Sequence, residues 1–202
     1  MRKIFITGIS TGVGKTIVSA IVTEALQADY WKPIQTGSGE DRDSDTIKKL
    51  ISNKKTIIHP EAFCLPLPAS PFAAAEEQGI KIEIKNIAVP QTDNILVIEG
   101  AGGLMVPINE KELMIDMMEQ WNAEVILVSQ NYLGSINHTM LSCMALKDRG
   151  LKVVGIVYNG EDTLMAERSI LSFCDFTVIG RIKPESNFTP GKISAYAKKF
   201  SL

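Results

Sequence analysis

The chain has 202 residues, 45% of them hydrophobic, a formal charge of −2 and a pI near 5.8. That length supports one well-buried core and is short for two, and the weak acidic balance leaves no electrostatic footprint for nucleic acid. No apolar run approaches the ~20 residues of a bilayer-spanning helix, and the run after Met1-Arg2-Lys3 is too short for a secretory leader, so a cytoplasmic protein of one domain, residues 1–202, is expected.

In chain order, the strand-like run Lys3–Thr7 comes first, followed by the glycine-rich segment Gly8-Ile9-Ser10-Thr11-Gly12-Val13-Gly14-Lys15-Thr16 and a helical pattern over Thr16–Gln27. Strand, glycine turn and helix opened by Lys-Thr is the layout of a P-loop. Its backbone N–H groups turn inward around phosphate oxygens, and the helix N-terminus adds partial positive charge. Lys15 is placed to reach the β/γ-phosphates and Thr16 to offer its hydroxyl to Mg²⁺. Ile9 stands where the strict pattern has its first glycine.

Further strand-like runs fall at Asp29–Lys32, Ile95–Glu99, Glu124–Ser129, Lys152–Tyr158 and Thr177–Ile182. Helical patterns fall at Ser44–Ile51, Ser70–Gln78, Leu113–Asn122, Ser135–Arg149, Asp162–Phe173 and Lys192–Phe200. Residues 80–94 fit a strand and a helix equally, because Ile80, Ile82 and Ile84 alternate while Ile80, Ile84 and Ile87 share a helical face. Runs such as Val125-Ile126-Leu127-Val128 are apolar throughout, the mark of strands covered on both faces. The alternation predicts an α/β fold, a P-loop NTPase-type parallel sheet with helices on both faces.

A parallel sheet delivers its chemistry at the carboxyl ends of its strands. Lys32 ends the second run and is a candidate second cation for phosphate charge. Glu99 ends the third run and enters Glu99-Gly100-Ala101-Gly102-Gly103, where a carboxylate suits a Mg²⁺ contact and glycine permits close backbone approach. Asp45, in Asp41-Arg42-Asp43-Ser44-Asp45, is either a solvated helix N-terminus or a metal contact. Thr16, Asp45 and Glu99 with phosphates and water satisfy the octahedral oxygen preference of Mg²⁺. His59 and His138 stand alone and read as structural hydrogen-bonding residues. Cys64, Cys143 and Cys174 are widely spaced and odd in number, which implies reduced thiols. Met114, Met117 and Met118 at helical spacing read as packing.

Taken together, Gly-x-x-Thr-x-Val-Gly-Lys-Thr, Lys-Pro-x-x-Thr-Gly at Lys32–Gly37, Ser44-Asp45, Leu65-Pro66-Leu67-Pro68-Ala69-Ser70-Pro71, Glu99–Gly103 and Leu-Gly-x-Ile-Asn-His at Leu133–His138 resemble the dethiobiotin synthetases. The resemblance runs from residue 1 to about 160. It implies an ATP-dependent cyclo-ligase that joins CO₂ to 7,8-diaminononanoate and releases ADP and phosphate, with Mg²⁺ as cofactor and ATP as co-substrate. Lys32 and Lys15 are the implied catalytic residues. Gly12, Val13, Gly14, Lys15, Thr16, Ile17, Asp45, Glu99, Gly100, Ala101, Gly102 and Asn159 are the implied nucleotide set. The implied substrate contacts are Thr36 and the segment Leu133, Gly134, Ser135, Ile136, Asn137. This segment would serve the other subunit of a homodimer, its helix N-terminus facing the substrate carboxylate. Neither nucleic acid nor membrane is an implied partner.

The chain departs from the family's Asn-Asp with Asn159-Gly160, and Gly180-Arg181-Ile182-Lys183-Pro184 is one residue out of step with Gly-x-Ile-Pro. The alternative is a regulatory P-loop ATPase switch of the partitioning or division-positioning type. Such proteins place a lysine early in the loop, where this chain has Gly8-Ile9-Ser10, and often end in an amphipathic membrane helix. Lys192–Phe200 is too short and weakly apolar for that. A cobyric-acid-type amidotransferase domain shares Glu-Gly-Ala-Gly-Gly but lacks a following glutaminase here.

Overall fold

The structure is a computed structural model that describes residues 1–37, 39, 42–161 and 164–202. Its main sheet has seven strands: β1 (Lys3–Gly8), β2 (Asp29–Trp31), β4 (Ile58–His59), β6 (Leu96–Gly103), β7 (Glu124–Gln130), β8 (Val153–Asn159) and β9 (Val178–Ile182). They lie in the order β4-β2-β6-β1-β7-β8-β9, and every neighbouring pair is parallel. A separate two-stranded parallel piece joins β3 (Ile34–Thr36) to β5 (Phe63–Leu65). The helices are α1 (Lys15–Leu26), α2 (Asp43–Leu50), α3 (Pro71–Glu77), α4 (Met114–Gln120), α5 (Ser135–Asp148), α6 (Leu164–Leu171) and α7 (Pro190–Ala197).

Strand side chains alternate between two apolar layers. Ile4 and Ile6 of β1, Val97 of β6 and Ile126 of β7 pack under α1, α2 and α7 with Val18, Ile21, Ile47 and Ile193. Phe5, Ile98 and Leu127 face the opposite layer, where Met114, Met117, Met118 and Leu146 come from α4 and α5. The α/β reading of the sequence therefore holds, including its six expected strands, of which β2 has only three residues. Met114, Met117 and Met118 are core residues, each at most 1% exposed.

Three short strands were not expected from the sequence: β3, β4 and β5 are too brief to show a period. Residues 80–94 take neither expected form. They hold only a 3₁₀ turn at Ile84–Asn86, with Ile82, Ile84 and Ile87 all buried. The helix expected from Asp162 is described from Leu164; Asp162 and Asp41 lie outside the described residues. The terminal helix begins at Pro190, two residues earlier than expected, where the Thr189 side chain accepts from the Lys192 N–H and Pro190 occupies the first turn.

Candidate functional site

β1 runs under the middle of the sheet and stops at Gly8, so its loop emerges at the carboxyl edge between β6 and β7. The chain turns back through Gly12 and Gly14, both at positive φ (75° and 94°), a region that favours glycine. A Cβ on Gly14 would also collide with the amide of Asn159. α1 then begins with no side-chain cap and no acid in its first turn. Its first N–H groups are thus left for an anion rather than satisfied internally.

The loop borders a cleft of about 690 Å³. Gly12, Gly14, Lys15, Thr16 and Ile17 line one wall, and Lys32, Thr36, Asp43, Glu99, Ala101 and Gly102 are among the residues that line the rest. Val13 is buried behind the loop at 1% exposure. Its carbonyl accepts a 3.0 Å hydrogen bond from Asn159 Nδ2, so this amide braces the loop from the end of β8.

At the centre lies a charged cluster in which Lys15, Lys32 and Glu99 are buried and Asp43 and Thr16 half-buried. Thr16 Oγ1 sits 2.8 Å from Asp43 Oδ1 and 2.9 Å from Glu99 Oε1. Lys32 Nζ lies 2.7 Å from Asp43 Oδ2, 3.1 Å from Glu99 Oε1 and 3.2 Å from the Gly100 carbonyl. Tyr30 donates its hydroxyl to Glu99 Oε2 at 3.0 Å. Lys15 Nζ donates to the Ser10 carbonyl at 3.0 Å.

The electrostatics follow from this packing. Burial, then the nearby Lys32 charge, lowers the Lys15 pKa to about 8 against the pull of Glu99 and Asp43. Burial also opposes charge on Lys32, but Glu99 and Asp43 outweigh it and raise its pKa. Asp43 behaves as the mirror image: burial opposes its charge, and Lys32 and Thr16 hold its carboxyl below the ordinary range. Tyr30 is pushed well up by burial and by Glu99, so it stays a donor.

A hydroxyl has one proton, so Thr16 can donate to only one of its two carboxylates. The other short O···O contact sets acceptor against acceptor, an arrangement that a small divalent cation relieves. Thr16, Asp43 and Glu99 thus form an all-oxygen set of the kind Mg²⁺ takes.

The structure brings Asp43, rather than the expected Asp45, to Thr16 and Lys32. Residues two apart on a helix point roughly 200° apart, so only one of the pair can face the cleft. α2 starts at Asp43, whose N–H donates to Gln35 Oε1 at 3.1 Å. Asp45 instead accepts from Arg42 Nε at 3.0 Å, with its side chain 38% exposed.

The expected substrate segment lies elsewhere. Leu133 is fully exposed, and Gly134 at φ 100° leads into α5, with Ser135 buried and Ile136 and Asn137 exposed. Within one chain, none of these residues lines the P-loop cleft. Both histidines take structural partners: His59 Nε2 lies 3.3 Å from Asp29, and His138 Nδ1 lies 2.8 Å from the Tyr132 hydroxyl.

This fold and this cleft define a P-loop nucleotide-binding protein. A family model described as an AAA domain matches residues 2–192. The chain is 53% identical to the ATP-dependent dethiobiotin synthetase BioD of Christiangramia forsetii, covering 98% of this chain and 96% of that protein. It is 50% identical to the same enzyme of Cytophaga hutchinsonii, covering 98% and 97%. The chain belongs to the ATP-dependent dethiobiotin synthetases, a family of ligases. Two solved structures are similar at the level of fold. A ParA family ATPase from Chlorobium tepidum has a TM-score of 0.58 at 12% identity, over 98% of each chain. The septum site-determining protein MinD from Pyrococcus horikoshii, complexed with Mg-ADP, also scores 0.58 at 17% identity, over 98% of this chain and 93% of that one. At these identities the likeness reaches the fold and does not favour the regulatory alternative.

Proposed function

We propose that the protein carboxylates 7,8-diaminononanoate with CO₂ and closes the urea ring of dethiobiotin, converting ATP to ADP and phosphate. The observation that carries the reading is the pair Lys15 and Lys32 in one P-loop cleft, in a chain 53% identical to a named dethiobiotin synthetase. One substrate amine adds to CO₂ and loses a proton to give a carbamate. A carbamate oxygen then takes the γ-phosphoryl group while ADP leaves. The second amine attacks the carbamate carbon and gives up a proton, the C–O bond to phosphate breaks, and phosphate departs with the former carbamate oxygen and can take up that proton.

The difficulty is charge, since an anion must approach a polyanion. Lys15 and the open N-terminus of α1 bind the phosphates, and Lys32 neutralises the carbamate against the γ-phosphate. Thr16, Asp43 and Glu99 would hold Mg²⁺, which supplies charge neutralisation to the β- and γ-phosphates when bound. Thr36 on the cleft wall is a contact for the diamine or carbamate. Ring closure gains from holding both amines on one substrate, so no histidine base is required. Asn159, with its Nδ2 on the Val13 carbonyl, keeps Oδ1 to accept from a base amino group.

We also infer a homodimer. Leu133, Ile136, Leu141 and Met144 expose an apolar face on and just before α5, with Met105 exposed as well. A second cavity, lined by Ser10, Thr11, His138 and Leu141, joins that face to the shoulder of the P-loop. A two-fold contact on this face would bring Leu133–Asn137 of one chain towards the other's cleft. The chain would act as one ligase domain in the cytoplasm, in keeping with its free cysteines.

The test is incubation with the diamine, bicarbonate, ATP and Mg²⁺, with dethiobiotin sought by mass. ATP turnover that ignores the diamine would overturn the ligase reading. For the dimer, an inactive Lys32→Ala chain mixed with an inactive Asn137→Ala chain should regain partial activity, because one hybrid site is intact. No recovery after verified subunit exchange would place both residues in one subunit's site.

A further inference from the structure

Tyr30 has no exposed surface, and its ring packs among the aliphatic side chains under α1 and α2. Phenylalanine would fill that apolar layer equally well. The hydroxyl therefore calls for an explanation of its own, and its partner is Glu99 Oε2 at 3.0 Å. The strand register brings them together: Tyr30 pairs with Val97 and Trp31 with Ile98, which places Glu99 just beyond the end of β2. The other carboxylate oxygen, Oε1, faces Thr16 and Lys32. The two oxygens of Glu99 are thus divided, one towards the cleft and one towards a buried donor.

We propose that Tyr30 is a positioning residue that holds Glu99 as a one-oxygen ligand for the divalent cation, and so favours Mg²⁺ over larger ions. Mg²⁺ takes octahedral sites with single-oxygen carboxylates, whereas Ca²⁺ accepts both oxygens of one carboxylate in a more flexible shell. With Oε2 bonded to Tyr30, a two-oxygen mode would require that hydrogen bond to break. The bond also fixes the rotamer of Glu99, so Oε1 is already aimed beside Thr16. Among the described residues Asp43 has no neutral donor of this kind behind it: its two oxygens face Thr16 and Lys32.

The inference rests on the proposed ligase reading for the presence of Mg²⁺ with nucleotide, but its test does not use turnover. Mg²⁺ and Ca²⁺ would be titrated calorimetrically into the full chain saturated with ADP, as wild type and as Tyr30→Phe. Mg²⁺ affinity should fall about tenfold, the scale of a lost hydrogen bond to a charged group, while Ca²⁺ affinity holds or rises. Adding Tyr30→Phe to Glu99→Gln should cost no further metal affinity, because the hydroxyl acts through Glu99. Unchanged Mg²⁺ affinity and Mg²⁺/Ca²⁺ preference in Tyr30→Phe would overturn the inference, as would an equal extra loss in the Glu99→Gln background. A Tyr30→Phe chain that fails to fold would overturn it too, by assigning the hydroxyl to stability. A wild type that shows these metal preferences but makes no dethiobiotin would sink the ligase reading and leave Tyr30's role standing.

Discussion

Two buried carboxylates flank β2, and they are solvated in opposite ways. Asp29, at the start of the strand, is 1% exposed and accepts four hydrogen bonds. They come from the Ile57 N–H at 3.0 Å, Thr92 Oγ1 at 2.6 Å, Asn94 Nδ2 at 3.2 Å and His59 Nε2 at 3.3 Å. Those donors use the full acceptor capacity of a carboxylate, and among the described residues no second acid is hydrogen-bonded to it through a shared group. Glu99 is equally buried and takes the Tyr30 hydroxyl on one oxygen, but its other oxygen shares Thr16 with Asp43 and pairs with Lys32. A carboxylate closed by donors from several segments fastens a fold. One set against another acid and a buried lysine is poised for a ligand with charge of its own.

If that contrast is right, mutating the Glu99 end should cost activity, and mutating the Asp29 end should cost stability. The largest effect is expected from Lys32→Ala, which should lower kcat by about a hundred- to a thousandfold, as for loss of one preorganised charge donor. ADP affinity should stay close to wild type, whereas Lys15→Ala should lose both turnover and ADP binding if, as proposed, Lys15 contacts the phosphates directly. Steady-state kinetics and ADP calorimetry separate the two. Equal losses of ADP affinity would make Lys32 an ordinary phosphate ligand.

Asp29→Ala should give the reverse pattern. It strands the Ile57 N–H and the donors of Thr92 and Asn94, at a cost of about 3 kcal/mol in unfolding free energy. Below its melting range, the variant should keep a near-normal kcat. A large kcat defect in fully folded Asp29→Ala would erase the distinction between the two regions.

The next test sharpens the metal set. Asp43→Asn should raise the Mg²⁺ concentration needed for half-maximal rate by about tenfold or more, while Asp45→Asn should change it little, since Asp45 is occupied with Arg42 on a partly exposed surface. The opposite ranking would return the metal contact to Asp45.

Much of this was legible before the structure. The P-loop, the parallel sheet and the family follow from Gly12-Val13-Gly14-Lys15-Thr16, the all-apolar strands and the ordered motifs, because those signals are local. The place of Asp43 beside Thr16 was not legible, since it depends on where the first turn of α2 begins, and the Asp43 N–H there is met by Gln35 from another segment. The hydrogen bond from Tyr30 to Glu99 was equally hidden, because it joins strands 69 positions apart in sequence. Nor does the motif at Asn159 reveal that its amide braces Val13. The short strands β3 and β5 carry too few residues for any alternation to register.

The smallest effects should appear in how stability varies with pH, where the two regions act at opposite ends of the scale. Burial alone would raise the pKa of Asp29, but the bonds from Thr92, Ile57, Asn94 and His59 hold it below the ordinary carboxylate value. A depressed acid contributes stability that is present above its unfolded pKa and fades as pH falls through the folded one. The stability gap between wild type and Asp29→Asn should therefore close on acidification. Lys15 has the reverse sign. Its folded pKa of about 8 lies below the ordinary 10.5, so folding sheds a proton between those values. Wild type should gain stability relative to Lys15→Met across that window, by at most about 1.4 kcal/mol per pH unit. Over the same range, metal-free ADP binding to wild type should weaken as Lys15 loses its charge. Urea melts at several pH values, paired with ADP titrations, read both limbs. An alkaline limb that survives in Lys15→Met would show that some other group supplies it and that the P-loop lysine is charged throughout.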